Sequence, residues 1–144
     1  MAVTYTNNWG NILNKLVNII KAEFTFPVYK GRIDSGSNTF IRVIPTGSTQ
    51  TELTAHSEQR EFNIDIEYIT QRRRQDEKFI EHITIQASKL EALIHDNITM
   101  TLADSTVAFN CHLASQEFDA EEEEMEDWYI IQWNYNCSHI GNTA

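Results

Sequence analysis

Three carboxylates within one short segment have a spacing that could support chemistry. Glu61, Asp65 and Glu67 are separated by even numbers of residues, so they share one face of the chain if it is extended. Asp65 and Glu67 would then lie about 7 Å apart, close enough to act as an acid–base pair or to share a divalent cation. A nuclease that adds a nearby lysine to such a pair is disfavoured, because the segment contains no lysine. The alternative is a sheet face that is solvated or contacts another subunit.

Histidine and cysteine do not add a second candidate site. Glu91 and His95 lie one helical turn apart, a spacing typical of a surface hydrogen bond. Cys111 and His112 are neighbours in a predicted strand, so they point to opposite faces and cannot form a nucleophile–base pair. The chain contains no H-E-x-x-H, no cysteine–histidine pair at zinc spacing, no glycine-rich phosphate loop and no G-x-S-x-G. We therefore expect no enzymatic activity, no cofactor and no metal site.

The two cysteines, Cys111 and Cys137, fall on apolar phases of predicted strands, and we expect them to be buried free thiols. The first nine residues have neither the basic region nor the apolar stretch of a secretory signal. No apolar run approaches the ~18 residues that would span a bilayer. We therefore expect a protein that is made in the cytoplasm and does not enter a membrane.

Negative charge is concentrated in one segment of this 144-residue chain, which has a net charge of −10. Elsewhere 13 acids stand against 11 bases, so the remainder is close to neutral. Binding of nucleic acid through its phosphates needs a basic surface, which this balance argues against. The segment is either a solubilising tip or a loop that faces a channel or a docking partner. This segment, here called the acidic segment, contains eight acids: Glu117, Asp119, Glu121, Glu122, Glu123, Glu124, Glu126 and Asp127.

Arg72, Arg73 and Arg74 form a compact basic cluster, here called the arginine run. It is either a solvated corner of the fold or a partner for carboxylates of a neighbouring subunit, since guanidinium groups suit bidentate pairing with carboxylates. Acid and base in separate places of one chain are what head-to-tail ring contacts require. The candidate subunit interface therefore comprises the arginine run together with Glu61, Asp65 and Glu67.

Two amphipathic helices are predicted by the apolar pattern. The first spans Trp9–Phe24, with Thr6, Asn7 or Asn8 as its N-cap, and the second runs from Asp76 to about His95. Their apolar stripes repeat at the helical period. The stripe residues are Trp9, Ile12, Leu13, Leu16, Val17 and Ile20 in the first helix, and Phe79, Ile80, Ile83, Ala87, Leu90 and Ile94 in the second.

Five strands are predicted around the second helix. Three precede it, at Val28–Ile33, Thr39–Ile44 and Arg60–Thr70, and the polar link Thr46–Gln59 is expected to be a long loop. Two follow it, with Val107, Phe109, Cys111 and Leu113 on one phase of the first and Tyr129 to Cys137 alternating in the second. The fold class is α+β in the order α-β-β-β-α-β-β, a single domain over residues 1–144 with two helices covering a mainly antiparallel sheet. The expected core includes Phe62, Ile64, Ile66, Tyr68, Ile80, Ile83, Leu90, Ile131 and Trp133.

This organisation resembles that of the tail terminator proteins of long-tailed bacteriophages, also called tail completion or neck proteins. The likeness rests on the length, the helix Trp9–Phe24, the strands through Tyr68, the helix Asp76–His95 and the aromatic last strand Trp128–Cys137. It implies a structural virion protein without catalysis. Its copies would form a hexameric ring that caps the tail tube, joins the tail to the head-closure or connector protein, and lets DNA pass without sequence-specific binding.

Two other classes stay open at this point. One is a different component of the head–tail junction, such as a head-closure or adaptor protein. The other is a cytosolic adaptor domain or small enzyme, which the absence of a catalytic cluster disfavours.

Overall fold

The structure is a computed structural model that describes residues 3–31, 37–71, 76–120 and 127–142. The described residues form two helices and a six-stranded sheet of order β1-β2-β3-β6-β5-β4. All neighbouring strands are antiparallel except β1 and β2. The predicted α+β class and element order are confirmed, with β4 as an additional short strand. The bounds are α1 Asn8–Glu23, β1 Val28–Lys30, β2 Thr39–Leu53, β3 Ser57–Gln71, α2 Glu77–His95, β4 Met100–Thr101, β5 Val107–Phe118 and β6 Trp128–Asn142.

Both helices begin at side-chain caps. The Gly10 amide donates to Oδ1 of Asn7 at 3.0 Å, and the Phe79 amide donates to Oδ1 of Asp76 at 3.0 Å. These contacts satisfy amides that have no partner within the helix. The cap at Asn7 is one of the three that the sequence offered.

One member of the predicted core lies outside it. Ile80 is 42% exposed, whereas Phe79 is buried against the ring of Tyr129. Successive helical residues are rotated by about 100°, so only one of the two can lie at the centre of the buried stripe. The other predicted core residues are buried, and so are the thiols of Cys111 and Cys137, which are free as expected.

The predicted loop Thr46–Gln59 is wrong, because most of it belongs to a long hairpin. β2 continues through Pro45 to Leu53, and β3 begins at Ser57. β1 pairs with Ile41–Val43, so Pro45 lies beyond it, and no strand among the described residues needs the missing amide proton of Pro45 on that side. A register shift between Pro45 and Gly47 accommodates the proline.

The sheet has two unlike faces. The helix face carries the main core, to which both helices contribute, and the ring of Trp9 packs edge-on against Phe62 at 4.7 Å. The opposite face, here called the outer face, has a small apolar cluster of Phe40, Ile69, Ala120 and Ile130. In β5 the predicted phase holds for Cys111 and Leu113 but is wrong before them: Asn110 has φ +53° at a register shift, so Ala108 is buried while Val107 is 39% exposed.

Candidate assembly surfaces

The three carboxylates do share the outer face of β3. Glu61, Asp65 and Glu67 lie opposite Ser138, Asn134 and Gln132 of β6, respectively. Their surroundings nevertheless differ, because the neighbouring strands cover them unequally.

Glu67 is buried rather than facing solvent. Its Oε1 accepts a hydrogen bond from Nε of Arg42 at 2.6 Å, and the two side chains are only 4% and 2% exposed. Arg42 lies directly across from Glu67 on β2, so strand register alone brings the charges together. A carboxylate held in this way stabilises its own subunit and does not present itself to a substrate or a second subunit.

Asp65 remains half-buried and is held by amide donors. Nε2 of Gln132 lies 3.0 Å from one carboxylate oxygen, and Nδ2 of Asn134 lies 3.4 Å from the other. Since Asp65 and Glu67 belong to separate networks, the arrangement does not form an acid–base pair. Among the described residues, no group of three acidic, histidine or cysteine side chains is placed to bind a metal ion. Asp65 lines a polar groove of about 580 Å³, the outer groove, together with Ser115, Gln116, Glu117, Gln132 and Asn134.

The acidic segment connects β5 to β6, as expected. Glu117 is the exposed penultimate residue of β5, and Asp119 follows with φ +53°. The amide of Ala120 donates to the carbonyl of Ile130 at 2.9 Å, which fixes the start of the connection against β6. Asp127 is exposed just before β6. Glu121, Glu122, Glu123, Glu124 and Glu126 lie outside the described residues.

The acidic segment and the arginine run are far apart in the sequence, but the residues that flank them are neighbours in the sheet. Gln71, the last residue of β3, is paired with Trp128, the first residue of β6. The arginine run follows Gln71 in the sequence, and the acidic segment precedes Trp128. Arg72, Arg73 and Arg74 themselves lie outside the described residues. Both charged segments therefore leave the described sheet from adjacent positions at one end.

A short polar chain around His139 is the arrangement that comes nearest to a catalytic one. Oγ1 of Thr106 lies 2.8 Å from Nε2 of His139 and 2.6 Å from Oδ1 of Asp104. The Thr106 amide also donates to Oδ1 of Asp104 at 3.1 Å, and these hydrogen bonds lower the pKa of the Asp104 carboxyl. When the threonine hydroxyl donates to Asp104, Nε2 of His139 must carry its own proton and cannot act as a base. The hydrogen bonds from Asp104 through Thr106 to His139 therefore hold the turn before β5 against β6 and have a structural role.

We expect stability to fall when the pH drops below about 6.5, the ordinary histidine value. Burial lowers the pKa of His139, although the nearby Asp104 charge partly opposes this effect. The unfolded chain then binds a proton more readily than the folded chain, so protonation favours unfolding. Urea unfolding at a series of pH values should show this loss, which is absent above the unfolded pKa. The variant His139→Gln should remove this component. An unchanged pH dependence in that variant would contradict the assignment.

The other contacts between titratable side chains that the described residues show are short and include no nucleophile with an accessible base. The hydroxyl of Tyr68 lies 3.3 Å from Nε2 of His82, and Nδ1 of His112 lies 2.8 Å from the carbonyl of Asn110. A hydrogen bond with Cys111, together with burial, raises the pKa of the Cys137 thiol, which keeps it protonated at neutral pH. A second groove of about 360 Å³, the α2–β5 groove, lies between the end of α2 and β5. Its lining includes Glu91, Ile94, His95, Ile98, His112 and Leu113.

Neither described helix is long and apolar enough to cross a membrane.

Comparison with known proteins gives one family match. The family model described as "Phage tail terminator protein" matches residues 11–136, from the first turn of α1 to the interior of β6. No curated protein sequence matches the chain.

Solved structures share the fold. A chain from "Virion of native gene transfer agent (GTA) particle" superposes with a TM-score of 0.67 at 11% sequence identity. The superposition covers 95% of this chain and 100% of that one, so the two folds correspond over nearly their full lengths.

Proposed function

Since the chain belongs to the phage tail terminator family and is accordingly a structural virion protein, we propose that its copies form a ring that caps the tail tube and joins it to the head connector. The family match over residues 11–136 is the observation that carries this proposal. The partners are other copies of the chain, the tail tube protein and a head-closure or connector protein. DNA passes through the ring, and the ring is a hexamer without catalytic activity.

Ring contacts of this kind join unlike surfaces of successive copies, so each copy must offer two different patches. The arginine run is the basic patch, and the acidic patch is formed by Glu61 and Asp65 on the outer face of β3. The half-burial of both carboxylates supports this choice, because they remain accessible, and the Asp65 carboxylate is already positioned by Gln132 and Asn134. Glu67 acts indirectly, since its pairing with Arg42 holds β2 against β3 beneath that patch.

A mass measurement of the assembled protein tests the proposal. Light scattering of the chain alone should give six times the mass of one chain, and negative-stain images of the chain mixed with purified tail tubes should show rings at tube ends. A different ring symmetry, with binding to the head connector but not to the tube, would instead identify a head-closure or adaptor protein. A protein that stays monomeric under both conditions would contradict the ring.

Replacing Arg72, Arg73 and Arg74 with glutamate should prevent ring formation and leave the monomer folded. The change turns attraction between neighbouring copies into repulsion. Each close contact between like charges disfavours association by about as much free energy as the original contact between opposite charges favours it. Light scattering at a fixed concentration and circular dichroism are the two measurements. We expect the loss of assembly to be relieved in part by high salt, which screens exposed charges beyond about 3 Å at 1 M.

A control variant makes the same change of charge elsewhere. Lys15, Lys21 and Lys78 lie on the two helices, and replacing all three with glutamate alters the net charge by the same amount. Rings should persist in this variant. If the arginine variant also assembles normally, the arginine run is ordinary surface and takes no part in the ring.

A further inference from the structure

One edge of the sheet is uncovered along the second half of β5. On the side away from β6, β4 reaches only Val107 and Ala108, and the carbonyl of Ile98 accepts from the Cys111 amide at 2.9 Å. Within the described residues, no further strand or backbone hydrogen bond covers this edge from Ser115 to Phe118. These residues pair regularly with Asn134 to Ile131 of β6, so their outer amides and carbonyls form a straight edge. Unprotected edges of this kind accept an added strand.

The edge lacks the residues that usually block pairing. Ser115, Gln116, Glu117 and Phe118 include no proline and no lysine, and Glu117 is their only charged side chain. Phe118 is 42% exposed on the helix face, although a strand end would normally have this ring covered. The Ser115–Phe118 edge is therefore able to pair with an added strand.

The surroundings of the edge are apolar on one side and polar on the other. The α2–β5 groove lies at the Leu113 end, on the helix side, with Ile94 buried and Ile98 47% exposed. The outer groove lies on the opposite face and is lined by Asp65, Glu117, Gln132 and Asn134. A strand added here would need apolar side chains on its helix side and polar ones on its outer side.

The segment before α1 has that pattern. Val3 and Tyr5 are each 81% exposed and alternate with Thr4 and Thr6, so one face of the extended segment is apolar and the other carries hydroxyls. β-branched and aromatic residues favour strands. In the described part of the chain, Val3–Thr6 packs against no other element, and its backbone forms only the local contact from the Asn8 amide to the Thr6 carbonyl. The segment also has no charged side chain to oppose Glu117.

We propose that Val3–Thr6 of one copy adds as a strand to the Ser115–Phe118 edge of a neighbouring copy. Val3 and Tyr5 then cover Phe118 and reach toward the α2–β5 groove, while Thr4 and Thr6 face the outer groove. The inference rests on the proposed ring, because it needs copies held side by side. It joins unlike surfaces, so each copy donates one strand and accepts another, as a closed ring requires.

A copy cannot place Tyr5 on its own edge. The side chain of Asn8 lies beside Gly141, near the end of β6, whereas Ser115 is paired with Asn134. Seven residues of β6 separate these positions, a distance of roughly 23 Å. Tyr5 is three residues from Asn8 and extends at most about 11 Å from it. A Val3–Thr6 segment that pairs with this edge therefore comes from a second copy.

Disulfide trapping tests the arrangement in assembled tails or in rings formed on tail tubes. Copies with Thr4→Cys are mixed with copies with Glu117→Cys, because Thr4 lies opposite Glu117 when Val3 or Tyr5 covers Phe118, and any disulfide between the two sites must join two chains. Mild oxidation should give a dimer on a denaturing gel. The matched control mixes Thr4→Cys with Thr51→Cys, an exposed site on β2, and should give little dimer. The native cysteines are buried and do not compete.

A second variant removes the apolar contacts without cysteine chemistry. Val3→Asp with Tyr5→Asp should lower the assembled fraction at least about tenfold, the change that results from a loss of about 1.4 kcal/mol. Leu53→Asp with Ile85→Asp changes two equally apolar, 62% exposed residues elsewhere and should leave assembly nearly unchanged.

The results separate this inference from the proposed function. Rings that form from the unaltered chain but give no Thr4–Glu117 dimer, or that survive the Val3–Tyr5 change, overturn the added strand and leave the ring intact. An unaltered chain that forms no ring on tail tubes overturns the proposed function, and the added strand with it.

Discussion

Replacing Arg42 with alanine should lower the free energy of unfolding by roughly 3–5 kcal/mol. The change removes the guanidinium from a carboxylate that stays buried, since the Glu67 side chain is only 4% exposed. Loss of one partner of a buried pair is costly because the other charge keeps its desolvation penalty. Urea unfolding at pH 7 measures the effect. If the slope of the free energy of unfolding against urea concentration is unchanged, the folded and unfolded states are equally compact in the variant and in the unaltered protein.

Two controls identify burial as the cause. Arg60 forms an ion pair with Glu58, but these side chains are 36% and 27% exposed, so Arg60→Ala should cost no more than about 1 kcal/mol. The double variant Arg42→Met with Glu67→Gln removes both charges and should cost less than Arg42→Ala alone. An Arg42→Ala variant that loses no more stability than Arg60→Ala would mean that the pair contributes nothing specific to the fold.

The regular elements could be predicted from the sequence because their patterns are local. Alternation in β3 and β6 placed Ile64, Ile66, Ile131 and Trp133 on the buried face, and the structure confirms all four. One error arose where the chain changes phase. Asn110 adopts φ +53° at a bulge that no local pattern indicates, and this shift moves Val107 outward.

The carboxylates show where local reasoning ends. Spacing correctly placed Asp65 and Glu67 on one face, but it could not distinguish an accessible side chain from a buried one. The distinction depends on Arg42, which lies 25 residues away and reaches Glu67 through the β2–β3 register. The β2–β3 register could not be predicted from the sequence because Thr46–Gln59 has the polar composition of a loop. Its threonines are nevertheless β-branched residues that favour strands, and the hairpin extends through them.

The two charged segments required the same kind of information. Nothing in their sequence separation indicates that Gln71 and Trp128 are paired, because that contact depends on β3 and β6 being neighbours in the sheet. The adjacency of the two flanks therefore follows from the order of the strands and not from the local sequence.

Neutralising Glu121, Glu122, Glu123 and Glu124 to glutamine should slow or stall DNA ejection from particles that otherwise assemble normally. The hypothesis is that the acidic segment faces the channel. A chain of this length has a radius of gyration of roughly 15 Å, equivalent to a sphere about 37 Å across. Six touching spheres enclose a hole as wide as one sphere, which lets a duplex pass without being gripped.

The sign of the charge matters because moving DNA must not adhere to the wall. Contacts between lysine or arginine and phosphate release counterions and add affinity, which would act as drag. Carboxylates repel phosphate instead, although salt limits the repulsion to about 8–10 Å. The measurement is the amount of DNA released from purified particles over time. Electron microscopy checks that the variant particles are fully assembled.

A control with the same change of charge separates location from net charge. Glu23, Glu52, Glu91 and Asp96 are exposed and lie away from the end of the sheet that carries the acidic segment, so replacing them with the corresponding amides should leave ejection unchanged. The alternative role of the segment is an outward tip that docks another protein. In that case the Glu121–Glu124 variant would fail to join heads to tails, and any complete particles would eject normally. This result would reject the channel role and place the acidic segment at a protein interface.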